Sequence, residues 1–149
     1  MIEPQFELLL RGVQVRFSRF FAYLLENQQT TVSQYNVLAA LDTEDFTRMH
    51  QVARALHISK PAITHLVDRL EKEELISRNV DPQDRRAYVI TLTKKGKQVV
   101  RNVQKQFISF VTEVLDSTSA QDRETMKNFY KRLTEHFDKK LAACTQTES

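Results

Sequence analysis

Two short stretches of the sequence combine cationic, hydrogen-bonding and turn-forming residues. Residues 59–65 have the sequence SKPAITH, and residues 81–86 have the sequence DPQDRR. Lysine and arginine side chains bind phosphate groups, while arginine, threonine and histidine can also exchange hydrogen bonds with the edges of nucleic-acid bases. The same residue types occur on ordinary solvated surfaces, so their significance depends on the elements that position them.

Positive charge is concentrated around these two stretches. The chain of 149 residues has a net charge of +3, but residues 48–105 contain 13 lysines and arginines against 6 acidic residues. The remaining residues are net acidic, with 9 basic against 13 acidic side chains. This distribution favours a polyanionic partner, although a solvated basic surface would account for the charge alone equally well.

Composition argues against several other classes of protein. Only two glycines occur, so a phosphate-cradling loop or a nucleophile elbow is not expected, and we predict that the protein is not an enzyme. The four histidines lack metal-ligand spacing, so neither a metal site nor a cofactor is predicted. Cys144, the single cysteine, is expected to be a passive thiol. The sequence shows neither a membrane span nor a signal peptide, which predicts a cytoplasmic protein without a membrane partner.

Hydrophobic periodicity predicts a mainly helical chain with one β-hairpin. Residues 75–80 and 88–92 are rich in β-formers and flank the charged turn DPQDRR. Either Thr31 or Ser33 can cap the second helix, and residues 42–45 are expected to form a loop. The tail is expected to fray from Ala142 onward. Apolar stripes at helical spacing occur within residues 3–26, 35–41, 49–56, 60–73, 99–114 and 126–141.

The order of elements in the middle of the chain is that of a winged helix-turn-helix. We predict a winged helix-turn-helix DNA-binding domain at residues 31–93, a helical dimerisation region at residues 1–30 and 94–145, and a disordered tail at 146–149. The long apolar stripes at both chain ends favour a dimer, although they could instead close one monomeric core.

The polar side of the helix that starts after Ser59 is the predicted major-groove face. Ser59 is a suitable N-cap, and Pro61 lies in the first turn, where its missing N–H is tolerated. Lys60, Thr64 and His65 are expected to reach base edges in the first turns. Farther along this face, we expect Asp68 to pair with Lys72, and we expect phosphate contacts from Arg69 and Lys72.

The charged turn predicts a wing that carries two arginines. Pro82 restricts the backbone of the turn, and Asp81 and Asp84 can accept local N–H groups. We infer that one of Arg85 and Arg86 enters the minor groove, and that the other pairs with Asp84 or with a phosphate. The spacing leaves open which arginine has which role, and an ordinary charged hairpin is the alternative.

The stretch VARALHISKPAITHLVDRLEKEELISRNVDPQDRRAYVITLTKKGKQV resembles the central domain of the MarR family of bacterial transcription regulators. The resemblance implies a homodimer that binds double-stranded DNA at a pseudo-palindromic operator, most simply as a repressor. Residues 59–69 would contact the major groove, and Arg85 and Arg86 would be the wing contact. A protein-interaction module without sequence-specific DNA binding is the alternative.

The resemblance also draws attention to Glu74, which departs from the family pattern, and implies a small-molecule effector. Glu74 stands where the family often has glycine, and a left-handed backbone there would cost a glutamate about 1 kcal/mol. Relatives commonly release DNA when a small, often aromatic, acid binds. The side chains expected to line such an effector site here are Arg16, Phe17, Phe20 and Tyr35, although arginines on a first helix are more often solvated or ion-paired.

Overall fold

The structure is a computed structural model that describes residues 3–43, 48–85 and 87–146. Its helices are α1 (Pro4–Glu26), α2 (Val32–Thr43), α3 (Met49–Ala55), α4 (Lys60–Lys72), α5 (Lys94–Asp116) and α6 (Ala120–Gln146), and its strands are β1 (Ile76–Val80) and β2 (Tyr88–Leu92). The strands pair antiparallel, from Ile76 opposite Leu92 to Val80 opposite Tyr88. The predicted winged helix-turn-helix, mainly helical with one hairpin, is therefore confirmed.

The chain divides into two compact units, Met1–Phe107 and Ile108–Ser149. The first unit has a core to which most of its elements contribute a fully buried side chain. These side chains include Leu25, Leu38, Ile63, Ile90 and Val100. Because α4 and β2 both contribute side chains to this core, the helix and the hairpin pack against the same buried apolar residues. Within the described residues, none of the helices has the length and apolarity that a membrane crossing requires.

Short polar side chains start α2, α4, α5 and α6 by accepting free backbone N–H groups. The hydroxyl of Thr31 accepts the Gln34 N–H at 3.2 Å, and the Gln34 side chain accepts the Thr31 N–H at 2.9 Å. This reciprocal pair resolves the choice between Thr31 and Ser33 in favour of Thr31. Ser59 accepts the Ala62 N–H at 3.4 Å, which confirms the predicted cap of α4.

Three helices are followed, two or three residues after their last residue, by a non-glycine residue with a left-handed backbone. Gln29, His57 and Glu74 have φ values of 52°, 51° and 60°. After α4, the Leu75 N–H donates to the Leu70 carbonyl oxygen at 2.9 Å, so the reversal closes a hydrogen bond across the helix end. Each left-handed position costs a side-chain-bearing residue about 1 kcal/mol. Glu74 thus has the conformation for which glycine is better suited.

Two predicted boundaries differ from the structure. Helix α6 continues to Gln146, beyond the point where fraying was expected. Helix α2 continues to Thr43, so the predicted loop does not begin at Asp42. The rest of that loop, residues 44 and 45, lies outside the described residues. In both cases the backbone hydrogen bonds of the helix continue through residues without an apolar stripe.

The end of α4 is fixed to the start of α5. The Thr93 hydroxyl donates to the Glu74 carbonyl oxygen at 2.7 Å, and the Thr93 N–H donates to the Leu75 carbonyl oxygen at 3.1 Å. The Lys95 ammonium group donates to the Glu73 carbonyl oxygen at 2.8 Å. These bonds satisfy carbonyl groups that the end of a helix leaves without partners.

Gly96 permits this close approach. A Cβ atom at Gly96 would lie 2.0 Å from the Leu75 carbonyl oxygen, a distance that no packed structure tolerates. At Gly12, within α1, a Cβ atom would meet only the mobile end of the Arg16 side chain, at 3.0 Å. The two glycines therefore serve different purposes, and only Gly96 is required by contact with another element.

We expect Gly96→Ala to lower the free energy of unfolding by about 2 kcal/mol, because the methyl group must push the Leu75 main chain away. The control, Gly12→Ala, should raise that free energy by about 0.5–1 kcal/mol, because alanine is the better helix former. Urea unfolding monitored by circular dichroism measures both. A Gly96→Ala variant as stable as the unmodified protein would contradict the close contact.

Candidate nucleic-acid interface

The first turns of α4 present a polar, open surface. Lys60, Pro61, Thr64, His65 and Asp68 line a shallow depression of about 510 Å³. The Thr64 hydroxyl donates to the Lys60 carbonyl oxygen at 2.9 Å, which leaves its lone pairs as acceptors. The lysine ammonium group, the imidazole ring and this hydroxyl oxygen together match the hydrogen-bonding groups of base edges and phosphates. The structure thus places Lys60, Thr64 and His65 on one surface, as the sequence predicted.

The cations of α4 and the hairpin fall into two groups. The Arg69 guanidinium is paired with Glu73, with Nε 3.0 Å from Oε1. Gln34 holds the other oxygen of Glu73 at 2.9 Å, and Gln34 is only 1% exposed. Lys60, Lys72 and Arg85 are exposed, and within the described part of the chain they make no side-chain hydrogen bond or ion pair. The second group is therefore free to bind an anion, whereas Arg69 is restrained by a carboxylate.

Asp68 pairs with Arg78 of β1, so the expected pairing with Lys72 is wrong. Arg78 Nη2 donates to Asp68 Oδ1, and Arg78 Nε lies 3.5 Å from Glu71 Oε2. The guanidinium also lies 5.9 Å from the centre of the Tyr88 ring. Sequence reasoning missed Arg78, although two acidic residues at i, i+3 on an otherwise basic face were a signal that a cation was needed there.

The wing turn is organised around the carboxylate of Asp81, which is only 3% exposed. One oxygen accepts the Gln83 backbone N–H at 2.8 Å. The other accepts Nε and Nη2 of Arg48 at 2.8 and 2.6 Å. The Asp81 N–H donates to the Ala87 carbonyl oxygen at 2.9 Å, which closes the loop. Arg48 also forms a β-bridge with Val89, so the residue before α3 is attached to the hairpin twice.

These contacts explain the acidity of Asp81. The Gln83 backbone N–H, followed by Arg48, holds the pKa of the Asp81 carboxyl below its usual 3.8, although burial opposes this effect. A lowered pKa means that the folded state favours the ionised carboxylate. The contribution of Asp81 to stability is therefore complete above the unfolded-state pKa and is lost as pH falls through the folded-state pKa.

The tip of the wing holds Asp84 and Arg85 in a tight turn. The Ala87 N–H donates to the Asp84 carbonyl oxygen at 2.9 Å, and the Asp84 N–H donates to the Asp81 carbonyl oxygen at 3.3 Å. Arg85 is exposed at this tip. Arg86, the other predicted wing arginine, lies outside the described residues. The wing thus presents at least one cation, Arg85, in a turn whose backbone is held by hydrogen bonds before and after it.

The four residues predicted to line an effector site lie in α1 and α2. The rings of Phe17 and Phe21 stack with centres 5.8 Å apart, and Phe21 meets Tyr35 edge-on at 5.3 Å. Burial, followed by the charge of Asp42, raises the pKa of the Tyr35 hydroxyl. Phe20 packs against the core, while the Arg16 guanidinium donates to a main-chain carbonyl of its own helix at 3.1 Å. The structure therefore joins Phe17 and Tyr35 through a third ring, and Arg16 bonds within α1.

In an NMR titration of the Asp81 carboxyl carbon, we expect a midpoint below 3.8. Arg48→Ala should raise the midpoint but leave it below 3.8, because the larger cause, the Gln83 N–H, remains. The stability of an Asp81→Asn variant should depend less on pH in the acid range. A wild-type midpoint at or above 3.8 would show that the turn does not hold the carboxylate.

Comparisons with known proteins agree with this geometry. The model of the MarR family matches residues 30–88, which include α2 to the start of β2. The chain is 28% identical over 125 residues to the uncharacterized HTH-type transcriptional regulator YxaD of Bacillus subtilis, covering 81% of this chain and 87% of YxaD. It is 30% identical over 96 residues to the HTH-type transcriptional repressor MdtR of the same organism, covering 60% of this chain and 62% of MdtR.

A solved structure extends the similarity over most of the chain. The MepR–DNA complex of S. aureus superimposes with a TM-score of 0.71 at 26% identity, covering 88% of this chain and 98% of that one. The matched family domain contains the capped helix, the strand with Arg78 and the Asp81 turn described above. Residues 30–88 therefore match the MarR family, and the predicted resemblance to these winged helix-turn-helix regulators is confirmed.

Proposed function

We propose that the protein is a transcription regulator that binds double-stranded DNA in a sequence-specific manner. The observation that carries this proposal is a set of exposed cations at α4 and the wing tip that have no partner among the described residues, namely Lys60, Lys72 and Arg85. Unpaired cations beside an open helix start match the phosphate chain of a duplex, which dominates the affinity of such complexes. The relative MepR is known in complex with DNA, which supports the same partner here.

The two parts of the surface have different roles in this proposal. Lys60, Thr64 and His65 contact base edges in the major groove, and Ser59 and Pro61 start the helix that presents them. Lys72, and Arg69 once released from Glu73, contact phosphates. One of Arg85 and Arg86 binds the narrow minor groove beside the site, where the negative potential is strong, while the other pairs with Asp84 or with a phosphate.

We further propose that the protein acts as a homodimer. The described residues of α1 and α6 leave large apolar side chains exposed, including Leu9 at 61%, Val13 at 63%, Phe137 at 58% and Leu141 at 55%. Exposed apolar surface of this extent is typical of an interface. A two-fold dimer presents two winged domains, which matches a pseudo-palindromic operator whose half-sites lie about 34 Å apart. The predicted division into residues 1–30 and 94–145 for dimerisation and 31–93 for DNA binding belongs to this proposal.

Repression is the simplest outcome of such binding, because a dimer bound at a promoter excludes other proteins. The relative MdtR is named a repressor, which supports this choice. Release by a small anionic or aromatic ligand stays a prediction, since Arg16 bonds within α1 and Tyr35 is buried. Calorimetric titration with phenolic acids tests ligand binding, and an absence of binding heat would contradict the predicted release.

The competing function, a winged-helix module that binds protein, differs in its response to salt. We expect binding to an operator duplex to weaken steeply with salt, with a log–log slope of about −0.9 for each phosphate contact. Arg85→Ala should weaken binding to all sequences and make the slope shallower by about 0.9 per protomer. Thr64→Ala and His65→Ala should instead change which sequences are preferred.

The matched control is Arg101→Ala, which removes an exposed arginine from α5 outside the proposed site. Its affinity and salt slope should equal those of the unmodified protein, measured by fluorescence anisotropy. Absence of duplex binding at low salt would contradict the proposed function and favour the protein-interaction module.

Sedimentation equilibrium tests the dimer separately. We expect the unmodified protein to be dimeric at micromolar concentration, and Val13→Glu to shift it toward monomer, because a charge would be buried in the interface. Val32→Glu is the control, since Val32 is a similarly exposed valine, at 48%, at the start of α2. A monomeric unmodified protein would contradict the proposal, as would equal effects of the two substitutions.

A further inference from the structure

We propose that Arg78 is a positioning residue for DNA binding, which acts through Asp68 and Glu71 by partly offsetting their negative charge beside the duplex, without contacting DNA itself. The inference rests on the proposed DNA binding. It adds a residue that lies outside both stretches singled out in the sequence. Its basis is the arrangement of three charged side chains where the hairpin meets the polar face of α4.

The position of Arg78 suits it to join two elements. It lies in the middle of β1, directly opposite Ile90, which is fully buried. Residues directly opposite in an antiparallel pair project from the same face of the sheet. The Arg78 side chain is therefore directed from the core side of the hairpin toward α4, and it is only 21% exposed. Lys60, Lys72 and Arg85, in contrast, are exposed.

The charges around Arg78 explain why a cation is needed there. Asp68 and Glu71 lie one turn apart on α4, with side chains 57% and 43% exposed. Asp68 also lines the depression that contains Lys60 and His65. Unpaired carboxylates at this place would repel the phosphates of a duplex. Arg78 bonds Asp68 and lies 3.5 Å from Glu71, so its single positive charge partly offsets the two negative charges.

The geometry of the contact favours positioning over direct DNA binding. The guanidinium is already engaged by Asp68 and lies 5.9 Å from the centre of the Tyr88 ring. Its Nε atom is buried and close to Glu71, although not in hydrogen-bond geometry. Because the Arg78 side chain is only 21% exposed, most of its surface is closed to a phosphate. The Arg48–Asp81 pair holds the loop of the wing independently, so loss of Arg78 leaves the turn itself intact.

A charge-reversal cycle tests the inference by fluorescence anisotropy with an operator duplex, well below the unfolding temperature. We expect Arg78→Gln to weaken binding by about tenfold, because two carboxylates beside the phosphates lose their partner. The triple variant Asp68→Asn/Glu71→Gln/Arg78→Gln should regain most of that affinity. Asp68→Asn/Glu71→Gln alone should bind at least as tightly as the unmodified protein.

The salt dependence provides a readout that a purely structural role would not change. Because Arg78 makes no phosphate contact in this proposal, the log–log slope of Arg78→Gln should equal that of the unmodified protein. A direct phosphate contact would make the slope shallower by about 0.9 per protomer and would not be rescued by neutral residues at 68 and 71. Arg78→Lys, which keeps the charge, should lose less affinity than Arg78→Gln.

The outcomes separate this inference from the proposed function. If the unmodified protein binds duplex DNA and Arg78→Gln binds it with equal affinity, the role of Arg78 is overturned and the proposed function is not. The role of Arg78 is also overturned if the triple variant binds the duplex no more tightly than Arg78→Gln. Unmodified protein that binds no duplex overturns the proposed function and this inference together.

Discussion

The structure around α4 and the hairpin depends on which cations are paired with carboxylates and which are not. Arg48, Arg69 and Arg78 each pair with an acidic side chain of another turn or element, and these pairs position the hairpin and the end of α4. Lys60, Lys72 and Arg85 remain exposed without such partners in the described chain. A cation that is already paired fixes geometry, whereas an unpaired one is available to a polyanion. The basic middle of the chain therefore contains both paired cations that hold the structure together and the unpaired cations of the proposed binding surface.

The shared core and the ion pairs of Arg48 and Arg78 hold α4 and the wing in a fixed arrangement. Both elements pack side chains into the same core. The Leu75 carbonyl, at the junction between them, receives the Thr93 N–H and leaves no room for a side chain at position 96. Arg48 and Arg78 then join the hairpin to the start of α3 and to the polar face of α4. A binding surface built on such a fixed arrangement loses little conformational entropy when a rigid duplex docks.

Local features of the fold were predictable from the sequence, because they depend on neighbours three or four residues apart. The cap at Ser59, the alternation of β1 and β2 and the stripe of α4 are of this kind. The Asp68–Lys72 pairing obeyed the same local rule and was wrong, because β1 brings a better-placed cation from ten residues away. The roles of Arg48 and Gly96 likewise arise only when distant segments meet, so the sequence pattern contained no direct sign of them.

The central claim is that the start of α4 and the wing contact one duplex together, as a matched pair. Amide hydrogen exchange with and without an operator duplex tests this claim most directly, because it reports each segment separately. The account predicts slower exchange at residues 60–65 and 81–87 at the same DNA concentration, with α6 unchanged. Protection confined to one of the two segments, or found only in the terminal helices, would contradict it.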